Sequence, residues 1–161
     1  MNMKQKKKTA QVYVAGSLRH TPMSWWKIYE KIGKVVEEAG MKAYIPHIHT
    51  VKAVGVTIEN SILNVELDDG IRVKTYDHSF EAVKNSVLVI AEVSHPSTGT
   101  GVEIGMALGM KKNIICLAQK GSNLTSMVRG AAKKGLIKLI DYDKEEEALN
   151  KLREMLKVMS I

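Results

Sequence analysis

Glu103 is the residue around which a chemistry can be built. It closes "HPSTGTGVE" (95–103), a polar loop containing Pro96, Gly99 and Gly101 and the hydroxyls of Ser97, Thr98 and Thr100. A second stretch of similar character, "AGSLRH" (15–20), offers Gly16, Ser17 and the guanidinium of Arg19. Glycine-rich turns that open onto a helix bind phosphate, because unpaired N–H groups and the helix dipole point at the anion. Arginine adds bidentate, charge-assisted bonds. The 95–103 loop is not a Walker A motif, since no Gly-Lys-Ser/Thr ends it, and a dinucleotide fingerprint would follow the first strand instead. With a helix starting near residue 100, Glu103 falls in its first turn. There it reads either as a capping acid or as a carboxylate kept ionised by the helix dipole. Such a charge beside an anion loop makes sense opposite an electron-poor centre. The anomeric carbon of a sugar phosphate is one, and carboxylates are the usual nucleophiles there.

These two loops need a scaffold that brings them together, and the hydrophobic periodicity supplies one. Short β-rich runs at 11–17, 42–46, 87–93, 113–118 and 137–142 alternate with helical patterns. The helical stretches are 24–40 (stopping at Gly40), a segment from about Phe80 to Ser86 that begins a few residues earlier, 100–111, 124–135 and 144–159. Strands apolar on both faces and alternating with helices indicate a parallel sheet covered on both sides. The expected fold is α/β, a single doubly wound, flavodoxin-like (Rossmann-like) domain with a five-stranded parallel sheet in the order 2-1-3-4-5. Its ligand crevice lies beyond the carboxyl ends of strands one and three, where both loops emerge. The segment from His47 to about Tyr76 is too long for a plain connection and reads as a lid or pocket wall that could carry a helix. His47 and His49 are read as polar loop residues.

The composition narrows the class further. A chain of 161 residues that is 45% hydrophobic holds one core. It reads as a basic tail over 1–9 followed by one domain over 10–161. No apolar run reaches membrane-spanning length and no apolar signal region follows the basic start, so the expectation is a cytoplasmic protein. The net charge of +7 owes part of its excess to Lys4, Lys6, Lys7 and Lys8. The remainder suits an anionic ligand. Few aromatics and no aromatic-rich basic strand favour a small anion over nucleic acid. The single cysteine, Cys116, lies in the apolar run "NIICLA" and reads as a buried structural thiol.

Three stretches taken in order over residues 12–142 carry a family resemblance: "YVAGSLR", "AEVSHPSTGTGVEIGMA" and "LTSMVRGAA". They resemble the 2'-deoxynucleoside 5'-monophosphate N-glycosidases within the wider nucleoside 2-deoxyribosyltransferase family. The middle motif is the specific one. The resemblance implies hydrolysis of a nucleotide's N-glycosidic bond to free base and 2-deoxyribose 5-phosphate, with no metal or cofactor and a homodimer sharing its active sites. It casts Glu103 as the nucleophile on C1' and Tyr13 as the residue orienting it. Gly16, Ser17, Leu18, Arg19 and His20 would lie against the sugar phosphate, with Ser97 and Gly99 on the phosphate. Thr125 would be contributed to the partner's phosphate, replacing a serine. The family's acid on the helix before the third strand falls at Ser79 here. Asp77 is favoured slightly over His78 as its substitute, with weakened acid catalysis as the remaining option. A transferase passing deoxyribose between bases and a non-catalytic nucleotide-binding module are the alternative readings.

Overall fold

A computed structural model describes residues 9–19, 21–57 and 67–159. The expected basic tail falls almost wholly outside these residues, as do His20 and the middle of the long segment, 58–66.

Five parallel strands form the sheet: β1 (Gln11–Gly16), β2 (Lys42–Tyr44), β3 (Ser86–Glu92), β4 (Asn113–Gln119) and β5 (Lys138–Tyr142). Their order is β2-β1-β3-β4-β5, as the alternating pattern predicts. The helices are α1 (Lys27–Glu38), α2 (Pro46–Val54), α3 (Asp69–Asn85), α4 (Thr98–Gly109), α5 (Ser126–Lys133) and α6 (Glu145–Val158). A 3-10 turn, Met23–Trp26, leads into α1.

The period of two along each strand sorts the core into two layers. Val12, Val14, Leu88, Ile90, Ile115 and Leu117 face α1 and α6. Tyr13, Ala15, Val89, Ala91, Ile114 and Cys116 face the other side, with Val83 of α3, Ile104 of α4 and Val128 of α5. In α1 the buried residues Ile28, Tyr29, Ile32, Val35 and Val36 recur at helical spacing, which makes one apolar stripe against the sheet. Gly40, at φ +79°, stops this helix where a side chain would be strained. Cys116 is fully buried, and burial pushes its thiol up to about 12, in keeping with a structural role.

Two elements depart from the expectation. The strand expected over 42–46 ends at Tyr44, because Pro46 begins α2. Proline's fixed φ and missing N–H suit a first helical turn. His47 and His49 therefore stand on a helix rather than in a loop. The helix before β3 is also far longer than the apolar pattern shows, running from Asp69 with Asp68 as its N-cap, whose carboxylate accepts from Ile71 N at 2.8 Å. Most of its surface is exposed; only Ala82 and Val83 are buried.

Candidate active site

A cavity of about 560 Å³ opens at the carboxyl ends of β1 and β3, the switch point of the sheet. One wall is the segment after β1, with Gly16, Ser17, Leu18 and Arg19; the facing wall is the loop entering α4, with Ser97, Gly99 and Glu103. The two segments also touch each other. Ser17 Oγ donates to Arg19 O at 2.9 Å and reaches Pro96 O at 3.5 Å. Tyr29 fixes the first segment from below, its hydroxyl donating to Ser17 O at 2.7 Å. Gly16 is obligatory there, because a Cβ would overlap the Tyr29 ring.

The second wall is a helix N-terminus. Ser97 is the N-cap of α4, its side chain accepting from Thr100 N at 3.2 Å, and Ser97, Thr98 and Gly99 at this helix start line the crevice. Gly99 is not demanded by the fold. A Cβ there would meet only Ser97 Oγ, at 3.8 Å, so the protein itself leaves that space open.

Glu103 differs from its expected setting. The helix begins at Thr98, which puts Glu103 in the second turn and removes the capping role. Tyr13 O–H donates to Glu103 Oε1 at 2.6 Å from the fully buried centre of β1. The helix dipole does not keep this carboxylate acidic: burial pushes its pKa up to about 7, and the Tyr13 hydrogen bond draws it back only in part. The Tyr13 phenol is in turn held well above its ordinary value, by burial first and the Glu103 charge second. Tyr13 thus remains a hydrogen-bond donor at any physiological pH. Tyr44 stacks on Tyr13 with ring centroids 5.5 Å apart, and the Tyr44 hydroxyl lies 2.9 Å from Thr50 Oγ1, another residue of the cavity.

The structure does not bring Asp77 to the cavity. Thr75 and Ser79, one turn apart on α3, line it; Asp77 and His78 between them are exposed. Two residues along a helix turn a side chain to the far side, so the inward position falls on Ser79. Thr125 caps α5, its Oγ1 accepting from Met127 N at 3.3 Å. It lines a separate cavity of about 330 Å³ behind the 95–101 loop and is not part of the Glu103 cavity of its own chain.

His47 is the residue that the sequence reading passed over. It lines the cavity at 4% exposure, with Nε2 3.6 Å from Glu30 Oε1 and no hydrogen-bond partner. Burial lowers its pKa, favouring the neutral ring. Pro46 was the available signal, since it marks the helix start that turns His47 inward. Among the described residues, no group of three or more His, Cys, Asp or Glu is placed to hold a metal ion, and no helix is long and apolar enough to cross a membrane.

A family model described as nucleoside 2-deoxyribosyltransferase matches residues 12–156. The 5-hydroxymethyl-dUMP N-hydrolase of Esox lucius is 44% identical over 87 residues, covering 53% of this chain and 59% of that protein. The protein of that name from Homo sapiens is 39% identical over 77 residues, covering 46% of this chain and 44% of its own length. The chain thus matches about half the length of these curated relatives. Among solved structures, a CMP N-glycosidase of Clostridium botulinum superposes with a TM-score of 0.62 at 26% identity, over 90% of this chain and 98% of that one. A 2-deoxyribosyltransferase from Bacillus psychrosaccharolyticus gives a TM-score of 0.62 at 14% identity, over 88% of this chain and 91% of that one, a likeness of fold.

Proposed function

The chain belongs to the nucleoside 2-deoxyribosyltransferase family, and from that premise we propose that it hydrolyses the N-glycosidic bond of 2'-deoxynucleoside 5'-monophosphates to free base and 2-deoxyribose 5-phosphate. The observation that carries this reading is the hydrogen bond from Tyr13 to Glu103 at a cavity walled by the Gly16–Arg19 segment and the loop entering α4. Curated relatives named as hydrolases of a deoxynucleoside monophosphate support it.

In this reading the phosphate sits against Ser97, Gly99 and the N–H groups opening α4, with Arg19 and Ser17 closing on it from the other wall. That places C1' over Glu103. The ionised carboxylate attacks C1' as the C1'–N bond breaks, giving a glycosyl ester and releasing the base with its bonding pair. Water then attacks the same carbon, so the sugar leaves with retained configuration. Tyr13 holds the carboxylate at one oxygen and leaves the other free to attack. The departing base meets hydroxyls of Ser79 and Thr75 rather than the carboxyl of Asp77, and takes its proton from water at that wall. His47, buried and with no hydrogen bond at Nε2, lines the same cavity. The working unit is a homodimer in which Thr125 completes the partner's phosphate site.

The test is incubation of the purified protein with a panel of deoxyribo- and ribonucleoside monophosphates, 5-substituted dUMP included, while free base is followed by chromatography. Base release from deoxynucleotides supports the reading. No release from any of them overturns it. A labelled second base added to the same incubation reports transfer, and a transfer product exceeding hydrolysis would replace hydrolase by transferase.

A further inference from the structure

The motif that ends β3 contains a second acid, Glu92, which the mechanism above does not use. It is fully buried, at 0% exposure, and lies outside the Glu103 cavity. Its carboxylate is surrounded by donors. Trp25 Nε1–H donates to Oε2 at 3.2 Å. Oε1 accepts from Ser94 N at 3.2 Å, from Tyr142 O–H at 3.1 Å and from Ser94 Oγ–H. An acceptor-only group satisfies this set; an amide would turn its NH₂ against one of the donors.

The donors come from separate elements, and two of those adjoin, along the chain, the segments that wall the cavity. Trp25 sits in the 3-10 turn that follows Gly16–Arg19, and Ser94 begins the loop that carries Ser97. Ser94 Oγ also accepts from Gln119 N at 2.7 Å, which fixes the loop to the end of β4. Trp25 meets His95 edge-on, ring centroids 4.6 Å apart. We propose that Glu92 is a positioning residue for the phosphate end of the cavity: it ties the segment after β1 to the loop after β3, so that Ser17, Arg19 and Ser97 converge on one anion.

The proposal rests on the hydrolase reading for its substrate, and the sign of one effect separates it from plain core stabilisation. A buried negative charge behind an anion site opposes the anion. On charge alone, Glu92→Gln should tighten phosphate binding; a positioning role demands the reverse.

The experiment takes the full chain and the variants Glu92→Gln, Trp25→Phe and both together. It measures calorimetric affinity for 2-deoxyribose 5-phosphate, and kcat and KM for the monophosphate and the matching nucleoside. Trp25→Phe removes one donor and keeps an aromatic ring, so it serves even if Glu92→Gln does not fold. The expected result is an affinity for 2-deoxyribose 5-phosphate and a monophosphate KM each weakened by about tenfold in Trp25→Phe, with kcat and nucleoside affinity little changed. Glu92→Gln should lose more, and the second substitution should add little to it, because both break one contact. Affinity for the phosphate unchanged or tighter in either variant, or an equal loss for nucleoside and monophosphate, overturns the proposal. So does a parent protein that does not bind 2-deoxyribose 5-phosphate. A parent that binds it but releases no base would sink the hydrolase reading and leave the variants to decide the role of Glu92.

Discussion

A carboxylate that attacks carbon must be ionised, and the burial that frees Glu103 from water works against that ionisation. With its pKa near 7, kcat/KM should rise with pH through about 7 and flatten above it, the ascending limb belonging to Glu103 in the free protein. The same shift has a stability consequence of definite sign. Folded Glu103 keeps its proton to a higher pH than the unfolded chain does, so folding takes up a proton between the two values and stability falls as pH rises through that window. Glu103→Gln keeps the acceptor for Tyr13 and removes the charge. It should abolish base release, by several orders of magnitude in kcat, and leave nucleotide binding largely intact. It should also be more stable to unfolding than the parent at about pH 8, by roughly 1–3 kcal/mol, and equally stable at about pH 4. Unchanged turnover would remove Glu103 from the chemistry; a variant less stable at pH 8 would show that its carboxylate is favourably paired instead. Arg19 makes a separate claim. Arg19→Ala should weaken a monophosphate strongly and the matching nucleoside little, since a guanidinium fork matches phosphate oxygens. Equal losses in a binding titration would make Arg19 structural.

At the scale of elements, α3 decides which of its side chains line the cavity. Thr75 and Ser79 share its inward face and Asp77 does not, so Asp77→Asn should leave kcat within about twofold of the parent, the change expected of a surface position. A large fall in steady-state turnover would mean that the helix turns Asp77 inward when substrate is bound. The strands and the helices packed on them are legible because burial imposes a period, and the loop after β3 carries one wall of the cavity in its own residues. Both histidines were misplaced for a local reason. The run of residues up to Pro46 predicts an extended strand end, whereas proline at the first helical position starts α2 and buries His47 against Trp26 and Tyr29, with ring centroids 5.7 and 6.0 Å away. The length of α3 was hidden because only its last turns pack on the sheet, so the rest has no apolar stripe to announce it. The part-buried pairing of Tyr13 with Glu103, 90 residues apart, is a product of strand order. No local spacing encodes it.

The molecule as a whole is a parallel sheet whose strands one and three leave side by side, which is why two loops distant in sequence form one cavity. One expected participant stays apart. Thr125 lines the smaller cavity and not the Glu103 cavity, and the two share Pro96, Ser97, Thr98 and Thr100 as a common wall. Met127, two residues on, is 81% exposed, and Val102 on α4 is 49% exposed, apolar surface that burial against a second copy would remove from water. The proposed homodimer accounts for both features: in an isologous contact each Thr125 reaches the partner's phosphate loop, and two equivalent sites form. Co-expression of two inactive variants tests this directly. Glu103→Ala removes the proposed nucleophile, and in the proposed dimer Thr125→Trp fills the partner's proposed phosphate site. In a mixed dimer one site then carries both lesions and the other carries neither. With random pairing, about a quarter of all sites should regain full activity. If the cavity is complete within one chain, every site keeps a lesion and the mixture stays inactive. A single species of monomer mass in sedimentation, at concentrations where the parent turns over, would exclude the shared site without any mixing.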